Sequence, residues 1–274
     1  MNIRQLSARA SDNVQTAVRI ARRARWEGAA TLAAARTRLA ASNRRHQRRT
    51  APTNGIYYPP RSLPEQTIED IACLDSLDAV VTRNHYGSLV LNAYHALFID
   101  VDLPEPDNPP RPGRVFGDES RESWQTTFED LCTVLGSERD IGFRIYQTAA
   151  GFRVLSTTHE FEPGSESAKG LMNSVGADDA FVRLCGTQKT FRARLTPKPW
   201  RCGTTHPPNQ FPRQSPDEQR RFTDWLTQYE CACRDRATCR FLAHVGVQEA
   251  HERVAPIIEF HDRETRAFKA LQLA

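Results

Sequence analysis

The sequence predicts an α+β fold, and three observations carry the prediction. Residues 79–102 are rich in Val, Leu, Tyr and Phe and are interrupted at Gly87 and Asn92, which marks strands joined by turns. Residues 121–137, RESWQTTFEDLCTVLGS, set Trp124, Phe128, Leu131, Cys132 and Leu135 on one helix face, with Gly136 as a stop. Residues 141–159 read as two strands around a turn at Gly151.

Each element follows in chain order. Ile3, Leu6, Ala10, Val14, Ala17, Val18 and Ala21 recur at helical spacing, so the arm is expected to be one or two amphipathic helices running into the basic linker SNRRHQRRTAPTNG. The chain becomes globular from Ile56. Ser62, with Glu65 three residues on, predicts a capped short helix over SLPEQTIEDIACLDSL. The stretch LPEPDNPPRPGRVFGDES is a loop, because its prolines and glycines leave no room for a periodic element. SESAKGLMNSVGA is expected to be helical, and the alternating TFRARLT is a strand that Pro197 and Pro199 close. After the linker TTHPPNQFPRQSP, the remainder, YECACRDRATCRFLAHVG included, is expected to form two helices. The central order is then β-α-β-β-α-β, the ferredoxin-like layout of one sheet with helices on one face. The expected divisions are a basic helical arm and linker over 1–55, an α+β core over 56–210 and a C-terminal helical extension over 211–274.

Charge divides the chain. Residues 1–50 hold twelve Arg against Asp12 and Glu27, a balance of 12 − 2 = +10 within a total of +4. The other 224 residues therefore carry −6. Such asymmetry points to an interaction tail, for nucleic-acid phosphates or for a protein partner; a solvated helix is the plainer reading, and a targeting presequence is a further one. No apolar run approaches the about 18–20 residues of a membrane span, and no secretory segment follows Met1, so no membrane partner is expected. Seven cysteines, an odd number, do not suit a disulfide framework, and a cytoplasmic location is expected.

The candidate chemistry starts at Asp100 and Asp102, which close the apolar run Ala96-Leu97-Phe98-Ile99. Residues i and i+2 of a strand share a face, and four preceding apolar residues suggest a central strand. Two such carboxylates form a hard-oxygen platform for Mg²⁺ or Mn²⁺. A solvated strand end facing arginines is the plainer alternative. Arg192 and Arg194 share a face of the TFRARLT strand, Lys198 and Arg201 follow at once, and Arg153, Arg183 and Lys189 lie nearby in sequence. Such forks and point charges are the usual partners of phosphates. His159, ending its strand, suits a phosphate contact or a proton carrier.

The apolar strand ending in Asp100-Val101-Asp102, followed by TAAGFRVLSTTH, resembles the archaeo-eukaryotic primase (primase-polymerase) superfamily. The resemblance covers residues 79–201 and lies in short motifs in the expected order. It implies an RRM-like core in which Asp100 and Asp102 bind the divalent metal, His159 contacts the nucleotide and Ser156 is its companion serine. Two departures stand out: Ser156-Thr157-Thr158-His159 is one residue longer than the family's Ser-x-His, and only Glu160, Asp178 and Asp179 are candidates for the third acid.

Cys202-x₃-His206 has the spacing of half a zinc site, but Cys231-x-Cys233 is too tight for the other half, so structural zinc is not expected. The expected function is metal-dependent nucleotidyl transfer on nucleic acid. The alternatives are a non-catalytic nucleic-acid-binding or scaffold protein with a degenerate primase-like fold, and a metal-dependent nuclease.

Overall fold

The computed structural model describes residues 29–50, 64–73, 76–103 and 118–274. The periodic residues from Ile3 to Ala21, the proposed Ser62 cap and most of the proline-rich loop lie outside them. Among the described residues the chain is α+β, built on two four-stranded sheets.

The first sheet has the order β1-β2-β3-β7, from Gln66–Cys73, Ser76–Arg83, Leu89–Ala93 and Phe191–Arg194, with every neighbour antiparallel. The second has the order β4-β6-β5-β9, from Phe98–Asp102, Gly151–Ser156, Gly142–Thr148 and Cys239–Gly246, again antiparallel throughout. Helix α1 (Ala29–Thr50) precedes them and α2 (Asp118–Ser137) joins β4 to β5. Helices α3 (Glu166–Ser174) and α4 (Asp179–Gln188) lead into β7. Helix α5 (Pro216–Ala232) precedes the two-residue β8 (Arg236–Ala237), and α6 (Ala255–Thr265) follows β9. The chain closes on β10 (Gln272–Leu273), parallel to β8.

Side-chain alternation sets the layers. Phe152 stacks toward Trp124 and Phe128 of α2, and Ile99, Val101, Val154 and Ile145 share that face by register. Phe98 and Tyr146 point the other way, onto His261 of α6. Helices therefore cover both faces of the second sheet. The main core runs through both sheets, with Leu97, Phe98, Ile99, Leu131, Phe143, Val154 and Phe191 all at 0% exposure, and a smaller cluster forms around Phe222, Trp225 and Tyr229. Ala35 and Leu39 of α1 belong to it, and Arg38 of α1 grips Asp130 of α2 with Nε at 2.8 Å from Oδ2. The described half of the basic arm is thus docked on the body.

The expected layout is corrected at four points. The predicted helix after Ser62 is strand β1, whose two register shifts, between Thr67 and Glu69 and between Ile71 and Ala72, erase the two-residue period. The expected C-terminal helix over CRFLAHVG is β9, which has a register shift opposite Ile145 and Tyr146. Residues 211–274 accordingly supply a strand of the core sheet as well as helices. Strand β4 is an edge strand and not a central one, and the arginine-bearing β7 pairs with β3 in the other sheet.

Candidate functional site

The predicted acidic pair does lie on one face of β4, since Asp100 pairs with Arg153 and Asp102 with Gly151 across the ladder to β6. That same register puts Arg153 directly beside Asp100. The guanidinium donates from Nε to Asp100 Oδ1 at 2.8 Å and from the second terminal nitrogen to Oδ2 at 3.0 Å. Its other terminal nitrogen donates to the Arg194 carbonyl at 2.8 Å and lies 3.4 Å from His261 Nε2. The Arg153 side chain is 0% exposed and that of Asp100 is 30% exposed. Burial would raise the Asp100 carboxyl, but the Arg153 charge and its two hydrogen bonds outweigh it, with Arg194 and His261 adding, and hold it below its ordinary value.

His261 completes the cluster. Its Nδ1 faces Asp262 Oδ1 at 3.2 Å, and Asp262 also accepts from Arg144 at 2.6 Å. Burial pushes the imidazole down to about 4, the Asp262 hydrogen bond opposing and Arg153 reinforcing the shift. A neutral ring with its proton on Nδ1 donates to Asp262 and accepts from Arg153, which suits both neighbours.

The carboxylate that would hold Mg²⁺ or Mn²⁺ is already engaged. Both Asp100 oxygens accept from a buried guanidinium, and among the described residues no group of three or more His, Cys, Asp or Glu side chains is disposed to hold a metal. His159 sits beyond the other end of β6: Asp102 pairs with Gly151 at the start of that strand, whereas His159 follows its last residue, Ser156. Six residues at about 3.3 Å each keep the histidine away from the carboxylates. His159 is exposed and its Nδ1 lies 3.0 Å from Thr158 Oγ1. Of the candidate third acids, Glu160 pairs with Arg253 at 2.9 Å and Asp178 caps α4 by accepting from the Ala180 amide at 2.8 Å.

The predicted phosphate contacts separate as well. Arg153 and Ser156 are fully buried, the Ser156 hydroxyl without a hydrogen-bond partner among the described residues. Arg192 and Arg194 do share a face of β7, but Arg192 is tied to Glu65 at 2.7 Å and to Gln188 at 2.9 Å. Arg194 keeps a buried Nε with no partner among the described residues. Arg183 and Lys189 are exposed on α4 and at its end.

Lys198 and Arg201 instead belong to an aromatic surface that sequence reasoning missed. The 3₁₀ turn Pro199–Cys202 raises Trp200, 42% exposed, and His206 stacks on it at 4.9 Å between ring centres. Tyr86, from the turn between β2 and β3, meets the indole edge-on at 5.1 Å, and Lys198 Nζ lies 5.5 Å from it. Beside this group runs a cleft lined by Arg83, His85, Asn84, Asn209, Arg213 and Phe222, among others, with no acidic residue in its lining. Arg213 lies over the Phe222 ring at 3.3 Å, with its Nε buried and unpartnered among the described residues. Burial, and secondarily the nearby Arg83 charge, lowers the Arg213 pKa, the condition of a cation lacking its counter-charge.

Helix α5 supports that surface from within. Ser215 caps it by accepting from the Glu218 amide, and Pro216 starts it. Trp225 donates to the Thr205 carbonyl at 2.9 Å and stacks on Tyr229, whose hydroxyl reaches the Pro197 carbonyl at 2.6 Å. Gly87, at φ +84°, lies flat against the Trp225 ring where any Cβ would collide. A tryptophan in a proline-closed loop between Lys198 and Arg201 is the signal that sequence reasoning passed over.

No protein-family model, curated protein or solved structure matches the chain. Among the described residues no helix is long and apolar enough to cross a membrane.

Proposed function

We propose that this protein binds single-stranded nucleic acid at the surface formed by Tyr86, Trp200, His206, Lys198 and Arg201, with backbone phosphates in the neighbouring arginine cleft. The observation that carries the reading is the exposed Trp200–His206 stack beside two arginines whose shared cleft has no acidic lining. Aromatic faces accept any unpaired base, and arginines track the backbone, which is the chemistry of sequence-tolerant single-strand binding. A duplex hides its bases from such a surface. The basic arm adds salt-sensitive, non-specific attraction for either form.

The primase resemblance, with α2 crossing between β4 and β5 on either side of β6, supports a nucleic-acid partner. Nucleotidyl transfer is the second reading. It is favoured by the shared face of Asp100 and Asp102, and it requires Arg153 to give up the carboxylate it now holds.

Fluorescence anisotropy of a labelled oligothymidylate, with excess unlabelled duplex to occupy the arm, tests the proposal. The full chain should bind the single strand; Trp200→Ala should weaken binding by about 5- to 150-fold, from stacking energies of about 1–3 kcal/mol per base, and Arg213→Gln should weaken it as well. Binding that duplex removes entirely, or that Trp200→Ala leaves unchanged, refutes it. Extension of a primer in the presence of nucleotides and Mn²⁺ would favour the second reading.

A further inference from the structure

Cys202 closes the 3₁₀ turn that carries Trp200, and Cys233 caps the C-terminal end of α5. Their sulfurs lie 3.8 Å apart, within the small apolar cluster of Phe222, Trp225 and Tyr229. We propose that Cys202 and Cys233 are a dithiol pair that a low-molecular-weight disulfide converts to an intramolecular disulfide, locking the Trp200 turn to α5.

The two sulfurs differ in the way the chemistry needs. Cys202 is half-buried and reachable, whereas Cys233 is 7% exposed. Hydrogen bonding from Cys233, against the opposing effect of burial and with help from Arg236, lowers the Cys202 thiol; the same contact, with burial, raises Cys233. Cys202 is therefore the attacking thiolate. It attacks one sulfur of the small disulfide, whose S–S bond breaks and releases one small thiolate, leaving a mixed disulfide on Cys202. Cys233 then gives its proton to solvent and attacks Cys202 Sγ, expelling the second small thiolate. Two protein thiols are oxidised, and one small disulfide is reduced to two thiols.

Closing the remaining gap requires one of the two segments to shift. The turn is the freer one, since Gly203 follows Cys202 at φ +76° with open space where a Cβ would stand. Cys231, exposed on the same helix end, is the thiol a less selective reaction would modify instead. The turn bears Lys198, Trp200 and Arg201, so the bond would fix their geometry. That consequence rests on the nucleic-acid reading, whereas the bond itself does not.

The test treats the full chain with oxidised glutathione, alkylates remaining thiols and maps peptides by mass. Two of the seven thiols should be lost together in a peptide pair linking Cys202 to Cys233, restored by dithiothreitol. The same link should form in Cys231→Ser and be absent in Cys202→Ser. Glutathione retained on Cys202, a link through Cys231, or seven free thiols after treatment would each overturn the proposal. Because the readout is a covalent bond in the unmodified chain, it succeeds or fails whether or not the protein binds nucleic acid.

Discussion

Asp100→Ala lowers the unfolding free energy of the full chain by about 3–5 kcal/mol, read as a shift of the urea midpoint at unchanged slope. The magnitude follows from what the substitution leaves behind: a fully buried guanidinium that, among the described residues, holds only the Arg194 carbonyl and the His261 ring. Arg153→Met should cost less, about 1–3 kcal/mol, because methionine keeps much of the stem and Asp100, partly exposed, has water to turn to. The pair Asp100→Leu with Arg153→Met should recover much of the loss, since neither charge is then stranded. The same experiment separates the two accounts of the carboxylate. A cation platform holds two repelling acids, so removing one would leave stability unchanged or raise it. An Asp100→Ala chain as stable as the parent would thus reject the internal ion pair as the role of Asp100.

Stability should also fall by about 3 kcal/mol as the pH drops from about 6.5 to about 4, with His261 as the cause. Above this window the imidazole is neutral in folded and unfolded chains, and it contributes no pH dependence. Within it the unfolded chain takes up a proton that the folded chain refuses, because Arg153 and burial oppose the charge and Asp262 offsets them only in part. The folded state therefore loses ground as protons are added. Asp100, held below its ordinary value, extends the loss to lower pH, where its carboxylate protonates. His261→Gln keeps an acceptor for Arg153 and removes the titration, so its stability curve should run flatter between pH 6.5 and 4 than the parent's. Parallel curves would show that the histidine is not the responsible group.

What was legible in the sequence was local. The helix from Trp124 to Leu135, the hairpin at Gly151 and the strand ending at Asp102 all declared themselves through unbroken periods. Strand β1 and strand β9 did not, because register shifts break the alternation that identifies a strand, and β1 carries Glu69 and Asp70 on an exposed edge. The candidate site failed to be legible for a different reason. That Asp100 and Asp102 share a face follows from spacing alone, but that Arg153 stands opposite Asp100 depends on the β4–β6 register, which no local pattern states. The assignment of β7 to β3, and the convergence of Tyr86, Trp200 and His206 from distant segments, are likewise long-range outcomes.

Strands β4 and β7 stand at neighbouring borders of the two sheets without forming a ladder, and the Arg153 guanidinium bridges from one side of that seam to the other. A ladder would distribute the join over many backbone groups. Here side chains carry the join, Arg153 onto the Arg194 carbonyl, Thr238 onto the Leu195 carbonyl and Arg253 onto Asp78, above an apolar core that both sheets share, so the two sheets unfold as one unit. Loosening one of these links leaves the sheets clasped by the others.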